Sequence, residues 1–161
     1  MGRPGSSFLI IAFVTGVCVG TFAQAPSPGA KTDRINACSL LTKEEVKKIV
    51  PWAAMLDQFP VEEEPVGTSG SSCNYPNVHI QVLPYTPGFV ETARKQEKFE
   101  PLPGVGDEAY FRDNRGEYAE LLVRSGQRIV TVQKDIGTNR TAETEKPAVV
   151  ALAKALIAKL H

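Results

Sequence analysis

The stretch from Leu102 to Lys134 constrains the fold more than any other part of the 161-residue chain. It reads LPGVGDEAYFRDNRGEYAELLVRSGQRIVTVQK, three apolar–polar alternating segments joined by two short glycine-containing turns. Alternation of this kind is typical of β-strands, and the Asn, Ser and Gly residues between the segments are typical of tight turns. The stretch therefore predicts three successive antiparallel strands whose apolar face other parts of the chain must cover.

The middle strand of this stretch has two faces of different character. Ala119, Leu121 and Val123 share one face, whereas Tyr118 and Leu122 lie on the other, among charged residues. Since both faces carry some apolar side chains, we expect helices or other chain to cover part of each side. We hypothesise that Tyr118 and Leu122 line a ligand groove.

A further strand signal precedes this stretch. Cys73 opens it, and Val78, Ile80 and Val82 then alternate with polar residues, so that His79 falls on the polar face. Pro76 within the segment predicts a hairpin turn or an edge position. By contrast, residues 56–72 combine prolines, an acidic triplet and a Gly/Ser run, which predicts a loop.

The helices are marked by their caps. Thr42 and Glu45 form a capping-box pattern, and Pro51 should end that helix. Thr86 and Pro87 are typical of a cap and first helical position, which predicts a helix over 88–99 with Phe89 facing inward.

The last helix is predicted to start after Thr144. Pro147 would then be its third residue, where a missing N–H is harmless. A start after Thr141 would put Pro147 inside the helix at a cost of about 3 kcal/mol. From Val149 to Leu160 the apolar residues form one helical face that should pack on the sheet. The whole pattern predicts an α+β domain: an antiparallel sheet of about five strands with helices packed mainly on one face.

The N-terminus predicts export. Residues 1–23 have the short basic start and apolar run of a signal peptide, with cleavage after Ala23 favoured over cleavage after Ala25, which Pro26 would hinder. Residues 24–35 are a Pro/Ser/Gly-rich leader in which we expect little order, and residues 36–161 form a single domain. An alternative is a lipid anchor on Cys18, although Val17 is a poor lipobox residue. The predicted location is the periplasm or the exterior, with no stable membrane span after cleavage.

Two cysteines, Cys38 and Cys73, remain after cleavage. An even pair in an exported chain predicts a disulfide, and the alternative is two free buried thiols.

Composition argues against several classes of partner. After cleavage the chain has 17 basic and 18 acidic residues, because only Arg3 is lost, and its formal charge is −1. No basic stripe is available for phosphates or anionic lipids, so neither nucleic acid nor a membrane surface is an expected partner.

The chain also lacks recognisable catalytic patterns. His79 and the terminal His161 are its two histidines, too few for a zinc site with three or four ligands, and no nucleophile-elbow pattern accompanies them. Residues 102–107 resemble a phosphate loop only superficially, since the Walker lysine is missing. Asp107 and Glu108, adjacent on a strand, are interpreted as surface charges. We therefore predict no catalytic residues, no metal, no cofactor and no enzymatic activity.

Four motifs occur in an order that is similar to a known family. Ala37–Val46 (ACSLLTKEEV), Cys73–Tyr75, Leu102–Tyr110 (LPGVGDEAY) and Leu152–Leu156 (LAKAL) resemble the motifs of a family of small exported bacterial proteins, many of them actinobacterial lipoproteins. That family is a domain of unknown function. The resemblance implies a paired Cys38 and Cys73, an envelope location and no established activity, and it brings no catalytic residues. The poor lipobox at Cys18 departs from the lipoprotein members.

The leading functional hypothesis is a non-catalytic exported domain that binds a small ligand or an envelope protein. The alternatives are a structural or accessory envelope role without a discrete pocket, and an enzyme of unrecognised type.

Overall fold

The structure, a computed structural model, describes residues 34–50, 56–96 and 98–160. The predicted signal peptide (1–23), the leader up to residue 33, Cys18 with its alternative lipid anchor and the helix stop at Pro51 lie outside the described residues.

Helices and strands follow one another in a mixed order. The helices are Ala37–Leu40 (α1), Lys43–Ile49 (α2), Pro87–Lys95 (α3) and Ala142–Ile157 (α4). The strands are Glu62–Val66 (β1), Gly70–Tyr75 (β2), Val78–Pro84 (β3), Glu100–Pro101 (β4), Glu108–Asn114 (β5), Tyr118–Ser125 (β6) and Arg128–Asp135 (β7).

In the described part of the chain, the strands form one antiparallel sheet in the order β1-β2-β3-β7-β6-β5-β4. The α+β class predicted from the alternation is confirmed. The expected count of about five strands is too low, because the sheet has seven. The two additional strands, β1 and β4, lie at the two edges of the sheet.

The loop predicted for residues 56–72 is wrong in two places: residues 70–72 belong to β2, and Glu62–Val66 forms strand β1. It pairs with β2 from Glu62 opposite Asn74 to Val66 opposite Gly70. Three glutamates and a proline are poor strand formers, which is why the segment is typical of a loop. At a sheet edge, however, proline is tolerated, because one side of the strand has no neighbouring strand that needs a backbone N–H donor from Pro65. Charged side chains are also tolerated at an edge.

The helices lie on both faces of the sheet. On one face, here called the core face, α1, α2 and α4 and the sheet share one large buried apolar cluster. On the opposite face, Val90 and Ala93 of α3 pack in a smaller cluster that includes Tyr110, Leu122 and Ile129. Packing mainly on one face is therefore only partly correct, because α3 covers part of the other. Phe89 of α3 was expected inward but is 41% exposed.

A disulfide joins α1 to the sheet. Cys38 and Cys73 are bonded, with their Cα atoms 5.0 Å apart and a sequence separation of 35 residues. The predicted pairing is confirmed, and the alternative of two free thiols is wrong. Closing a loop of this length stabilises the fold by about 4 kcal/mol in the chain-entropy model.

Hydrogen bonds from β2 reinforce this attachment. The Ser71 hydroxyl accepts from the Ala37 amide and donates to the Ile35 carbonyl, both at 2.7 Å. The Tyr75 hydroxyl donates to the carbonyl of Leu41 at 2.5 Å. Burial raises the pKa of Tyr75 to about 12, so this donor keeps its proton across the physiological range.

The capping box predicted at α2 is present and is tied to the end of the chain. The Glu45 carboxylate accepts from the Thr42 amide at 2.8 Å, and its other oxygen lies 2.6 Å from the Lys159 ammonium. The hydrogen bond from Lys159, followed by that from Thr42, lowers the pKa of Glu45 to about 2. One carboxylate therefore caps α2 and links it to the segment just after α4.

Helix α4 starts earlier than predicted. Its N-cap is Thr141, which forms a reciprocal capping box with Thr144, and Pro147 lies inside the helix. The prediction of a start after Thr144 is wrong. Pro147 cannot donate to the carbonyl four residues earlier, so this start gives up one helical hydrogen bond.

A buried ion pair holds the N-terminal part of α4 on the sheet. The ammonium of Lys134, on β7, lies 2.6 Å from one oxygen of Glu145, and both side chains are 2% exposed or less. Arg140 places its Nε 2.7 Å from the other oxygen. The first turn of α4 brings Glu145 to Lys134 and also buries Ala142. These contacts offset the cost of Pro147.

We predict that Lys134→Met lowers the free energy of unfolding by roughly 3 kcal/mol, because it leaves the buried Glu145 carboxylate with the half-exposed Arg140 as its remaining ionic partner in the described chain. Urea denaturation followed by circular dichroism measures the change. The double variant Lys134→Met/Glu145→Leu should recover most of the loss.

The exposed Lys154→Met, on the same helix, is the matched control and should change stability by less than about 0.5 kcal/mol. A Lys134→Met protein as stable as the control would show that the ion pair does not hold α4.

Candidate functional site

A continuous row of polar side chains crosses the face of the sheet opposite the core face. Directly paired positions on neighbouring strands place these side chains side by side, and alternation keeps them all on that face. The row, here called the polar row, consists in order of Glu62, Asn74, His79, Gln133, Glu120 and Arg112. It spans six strands, and at about 4.8 Å per strand it is roughly 24 Å long.

His79 lies near the middle of the polar row and is held by its neighbour. Its Nδ1 lies 2.5 Å from Oδ1 of Asn74. An amide oxygen only accepts, so Nδ1 carries the proton and Nε2 is the acceptor of the neutral ring. Burial lowers the pKa of His79, and the carboxylates of Glu64 and Glu120 oppose that shift. The neutral ring thus presents a hydrogen-bond acceptor at neutral pH.

The end of the polar row that contains Glu120 and Arg112 holds a buried carboxylate. Glu120 is 6% exposed, and its Oε2 accepts from Nε of Arg112 at 2.7 Å. The Arg112 guanidinium also lies over the Phe99 ring, 4.6 Å from its centroid. Ion pairing and stacking together fix both charged groups, so this end of the row is rigid.

A small cleft opens beside Arg112 and Glu120. Its volume is about 260 Å³, and α3 forms one wall while the sheet forms the floor. We call it the Phe89 cleft, and it is lined by Phe89, Thr92, Ala93, Gln96, Phe99, Arg112, Glu120 and Leu122. Apolar walls with a few polar groups are typical of ligand sites.

A second cleft lies at the opposite end of the polar row, with a volume of about 410 Å³. We call it the Phe59 cleft, and it is lined by Phe59, Pro60, Glu62, Asn74, Tyr75, Pro76 and Asn77. Phe59 and Phe89 are the large apolar side chains that are exposed in the described residues, at 46% and 41%. Each therefore stands at one end of the row.

The sequence-predicted groove residues flank this row. Tyr118 and Leu122 lie two positions to either side of Glu120 on β6, on the same face. Leu122 is buried and lines the Phe89 cleft, whereas Tyr118 is partly exposed and pairs across the sheet with Asn114 and Asp135. Tyr118 and Leu122 therefore lie on opposite sides of the polar row, and Tyr118 does not line the Phe89 cleft with Leu122. Their role in binding stays a prediction.

The contacts of the LPGVGDEAY motif hold the backbone and turns of the sheet in place. A Cβ on Gly106, at φ +60°, would lie 2.5 Å from the Arg124 carbonyl oxygen, so only glycine fits there. Asp107 accepts from the Gly126 amide at 2.8 Å and so closes the β6–β7 turn. These contacts agree with the prediction that residues 102–107 shape a turn.

The interpretation of Asp107 and Glu108 as surface charges is wrong for Glu108. Its Oε1 accepts from the Tyr110 hydroxyl at 2.6 Å and from Arg94 Nε at 2.8 Å. The hydrogen bond from Tyr110 is the largest influence lowering the pKa of Glu108, with Arg94 adding to it. Because Arg94 belongs to α3, this set anchors α3 to the sheet.

Two general properties concern the described residues alone. Within 34–50, 56–96 and 98–160, no helix has the length and apolarity needed to cross a bilayer. Over the same ranges, no three His, Cys, Asp or Glu side chains come together as metal ligands.

Comparison with known proteins gives no family assignment: no family model, no curated protein and no solved structure matches the chain. The resemblance to exported proteins of unknown function stays a prediction.

The polar row was missed by sequence reasoning, which placed His79 correctly on a polar face but named none of its neighbours. The signal was present as single polar positions on separate strands. Joining them requires the pairing of β3 with β7, which are far apart in the chain.

We predict that His79 titrates below 6.5, the ordinary value for its imidazole, because burial disfavours the charged ring. The unfolded chain then binds a proton before the folded one does. The contribution of neutral His79 to the free energy of unfolding is therefore complete above pH 6.5, and it is lost as the pH falls through the folded-state pKa. NMR of the imidazole carbons against pH measures the midpoint.

The variant His79→Gln is the control for stability, since it should remove this part of the pH dependence while keeping a polar side chain. A midpoint at or above 6.5 would contradict the burial of the ring.

Proposed function

We propose that the protein is an exported, non-catalytic domain that binds a small polar ligand on the polar row. The observation that carries the proposal is the row itself: six polar side chains side by side on a sheet face that α3 covers only in part. Such a surface offers donors and acceptors at fixed spacing, because the strands beneath are held by their own hydrogen bonds.

The disulfide supports export to the periplasm or the exterior, since disulfides persist in oxidising compartments. Lipid attachment at Cys18 is the alternative form of the same location.

Charge supports a neutral or cationic ligand. Alternation places five acidic and two basic sheet residues on this face, namely Glu62, Glu64, Glu108, Glu120 and Asp135 against Arg112 and Arg124. The face is therefore net negative and would repel an anion.

The distribution of apolar groups favours a small ligand over a protein partner. A protein interface of this kind would bury one contiguous apolar patch. The exposed Phe59 and Phe89 instead stand in separate clefts at opposite ends of the row.

Non-catalytic binding agrees with the state of His79. Its Nδ1 is hydrogen-bonded to an amide, Asn74, and not to a carboxylate that would stabilise a charged imidazolium. The ring thus presents Nε2 as a hydrogen-bond acceptor to a bound ligand.

The test is a ligand screen with a matched pair of variants. Gln133 lies in the middle of the row, and Gln127 lies exposed in the β6–β7 turn away from it. We predict that sugars, amino acids, nucleosides and polyamines, screened by ¹H–¹⁵N NMR, include compounds that shift the side-chain amides of Gln133 and Asn74. For those compounds Gln133→Ala should weaken binding about tenfold, because the hydrogen bonds between the Gln133 side-chain amide and the ligand are lost.

Gln127→Ala should leave the affinity unchanged, and both variants should keep the parent melting temperature to within a few degrees. Compounds that bind equally well to Gln133→Ala, or that shift only residues of the core face, would refute the proposal. An absence of any binding on the row would favour the accessory envelope role.

A further inference from the structure

We infer that the ligand is an extended neutral oligosaccharide that lies along the polar row, with one end in the Phe59 cleft and the other in the Phe89 cleft. This inference rests on the proposed function and goes beyond it by naming the shape and chemical class of the ligand.

The first argument is the shape of the site. The polar row is roughly 24 Å long, and a cleft lies at each end. Glu62 and Asn74 belong both to the row and to the Phe59 cleft, while Glu120 and Arg112 belong both to the row and to the Phe89 cleft. The two clefts and the row are therefore one continuous surface. A compact molecule would contact only a part of it, whereas a linear oligomer would contact all of it.

The second argument is the match of hydrogen-bonding groups. Asn74 presents its amide donors and Gln133 a donor and an acceptor, while neutral His79 presents an acceptor at Nε2 and Glu62 a carboxylate acceptor. A hydroxyl group both donates and accepts, so a chain that carries hydroxyls along its length can satisfy a mixed row of this kind. An apolar chain would leave these groups unsatisfied.

The third argument is the position of the exposed rings. A sugar ring has an apolar face made of C–H groups, which packs on an aromatic ring and removes both surfaces from water. Phe59 and Phe89 offer such rings at the two ends of the row. Their exposed surfaces do not pack in the hydrophobic core. They would hold the terminal sugar units.

The fourth argument is charge, which separates neutral from acidic saccharides. Five sheet carboxylates on this face outnumber its two guanidinium groups, those of Arg112 and Arg124. A chain of uronic acids has the same hydroxyls but adds negative charge, so it should be repelled.

The experiment titrates the intact exported domain with neutral gluco-, manno- and galacto-oligosaccharides of one to six units, followed by ¹H–¹⁵N NMR. In one series, affinity should rise by about tenfold or more from the monosaccharide to the pentasaccharide and then level off. Amides of β1, β2, β3, β7, β6 and β5 should shift together.

Two variants test the ends of the site. Phe59→Ala and Phe89→Ala should each weaken pentasaccharide binding about fivefold and leave disaccharide binding within about twofold, because a short chain does not reach both rings. Both side chains are exposed, so neither change should unfold the domain. Gln127→Ala serves as the neutral control, and oligomers of galacturonic acid serve as the charged control ligand.

The outcomes separate this inference from the proposed function. If other small polar compounds shift the row but no neutral oligosaccharide does, or if affinity is independent of chain length, the oligosaccharide inference is wrong and the binding function stands. Stronger binding of the galacturonic acid oligomers than of the neutral chains would also overturn it. If no compound of any class shifts the row, both fail.

Discussion

The buried ion pair between Lys134 and Glu145 is the interaction on which the arrangement of this protein depends. It joins β7 to the first turn of α4, where a charge without a partner would be expensive. The pair therefore holds the N-terminal part of α4 against β7. Glu45 and Lys159 then link the far end of that region to α2, and the disulfide attaches α1 to β2. The core face is closed by three independent connections.

This closure leaves the opposite face for other uses. Helix α3 covers the apolar end of that face, where Val90 and Ala93 pack and where Arg94 is anchored by Glu108 and Tyr110. Beyond α3 the face is polar, and paired positions of six strands place their side chains in one line. Antiparallel sheets commonly solvate one face. Here that face also carries a buried carboxylate, a hydrogen-bonded imidazole and two exposed phenylalanines, which is why we regard it as a binding surface.

Sequence patterns predicted the elements whose causes are local. The capping box at Thr42 needs only residues three apart, and the alternation in β3, β5, β6 and β7 needs only one strand at a time. The disulfide followed from counting cysteines in a chain that was predicted to be exported. Strand β1 was not predictable in the same way, because its acidic sequence is acceptable only at a sheet edge. The start of α4 was missed for a similar reason: the earlier start buries Ala142 in the core, and no local rule predicts that burial.

The candidate site was least predictable. His79, Gln133 and Glu120 lie on β3, β7 and β6, and they become neighbours only through a register that single-strand patterns do not contain. The hypothesis about Tyr118 and Leu122 concerned the face of β6 that carries Glu120, but the strand alone did not show which side chains of β7 and β5 lie beside Glu120. Phe89 was assigned to the core because helical periodicity alone does not show how far α3 extends over the sheet.

The central claim is that the fixed core face leaves the polar row as the binding surface. A crystal structure of the protein with its tightest-binding compound tests this most directly. The account predicts density for the compound over His79 and Gln133, with α4 in place and the Lys134–Glu145 pair intact. A compound bound between α4 and the sheet, or at a site that touches no residue of the row, would contradict it.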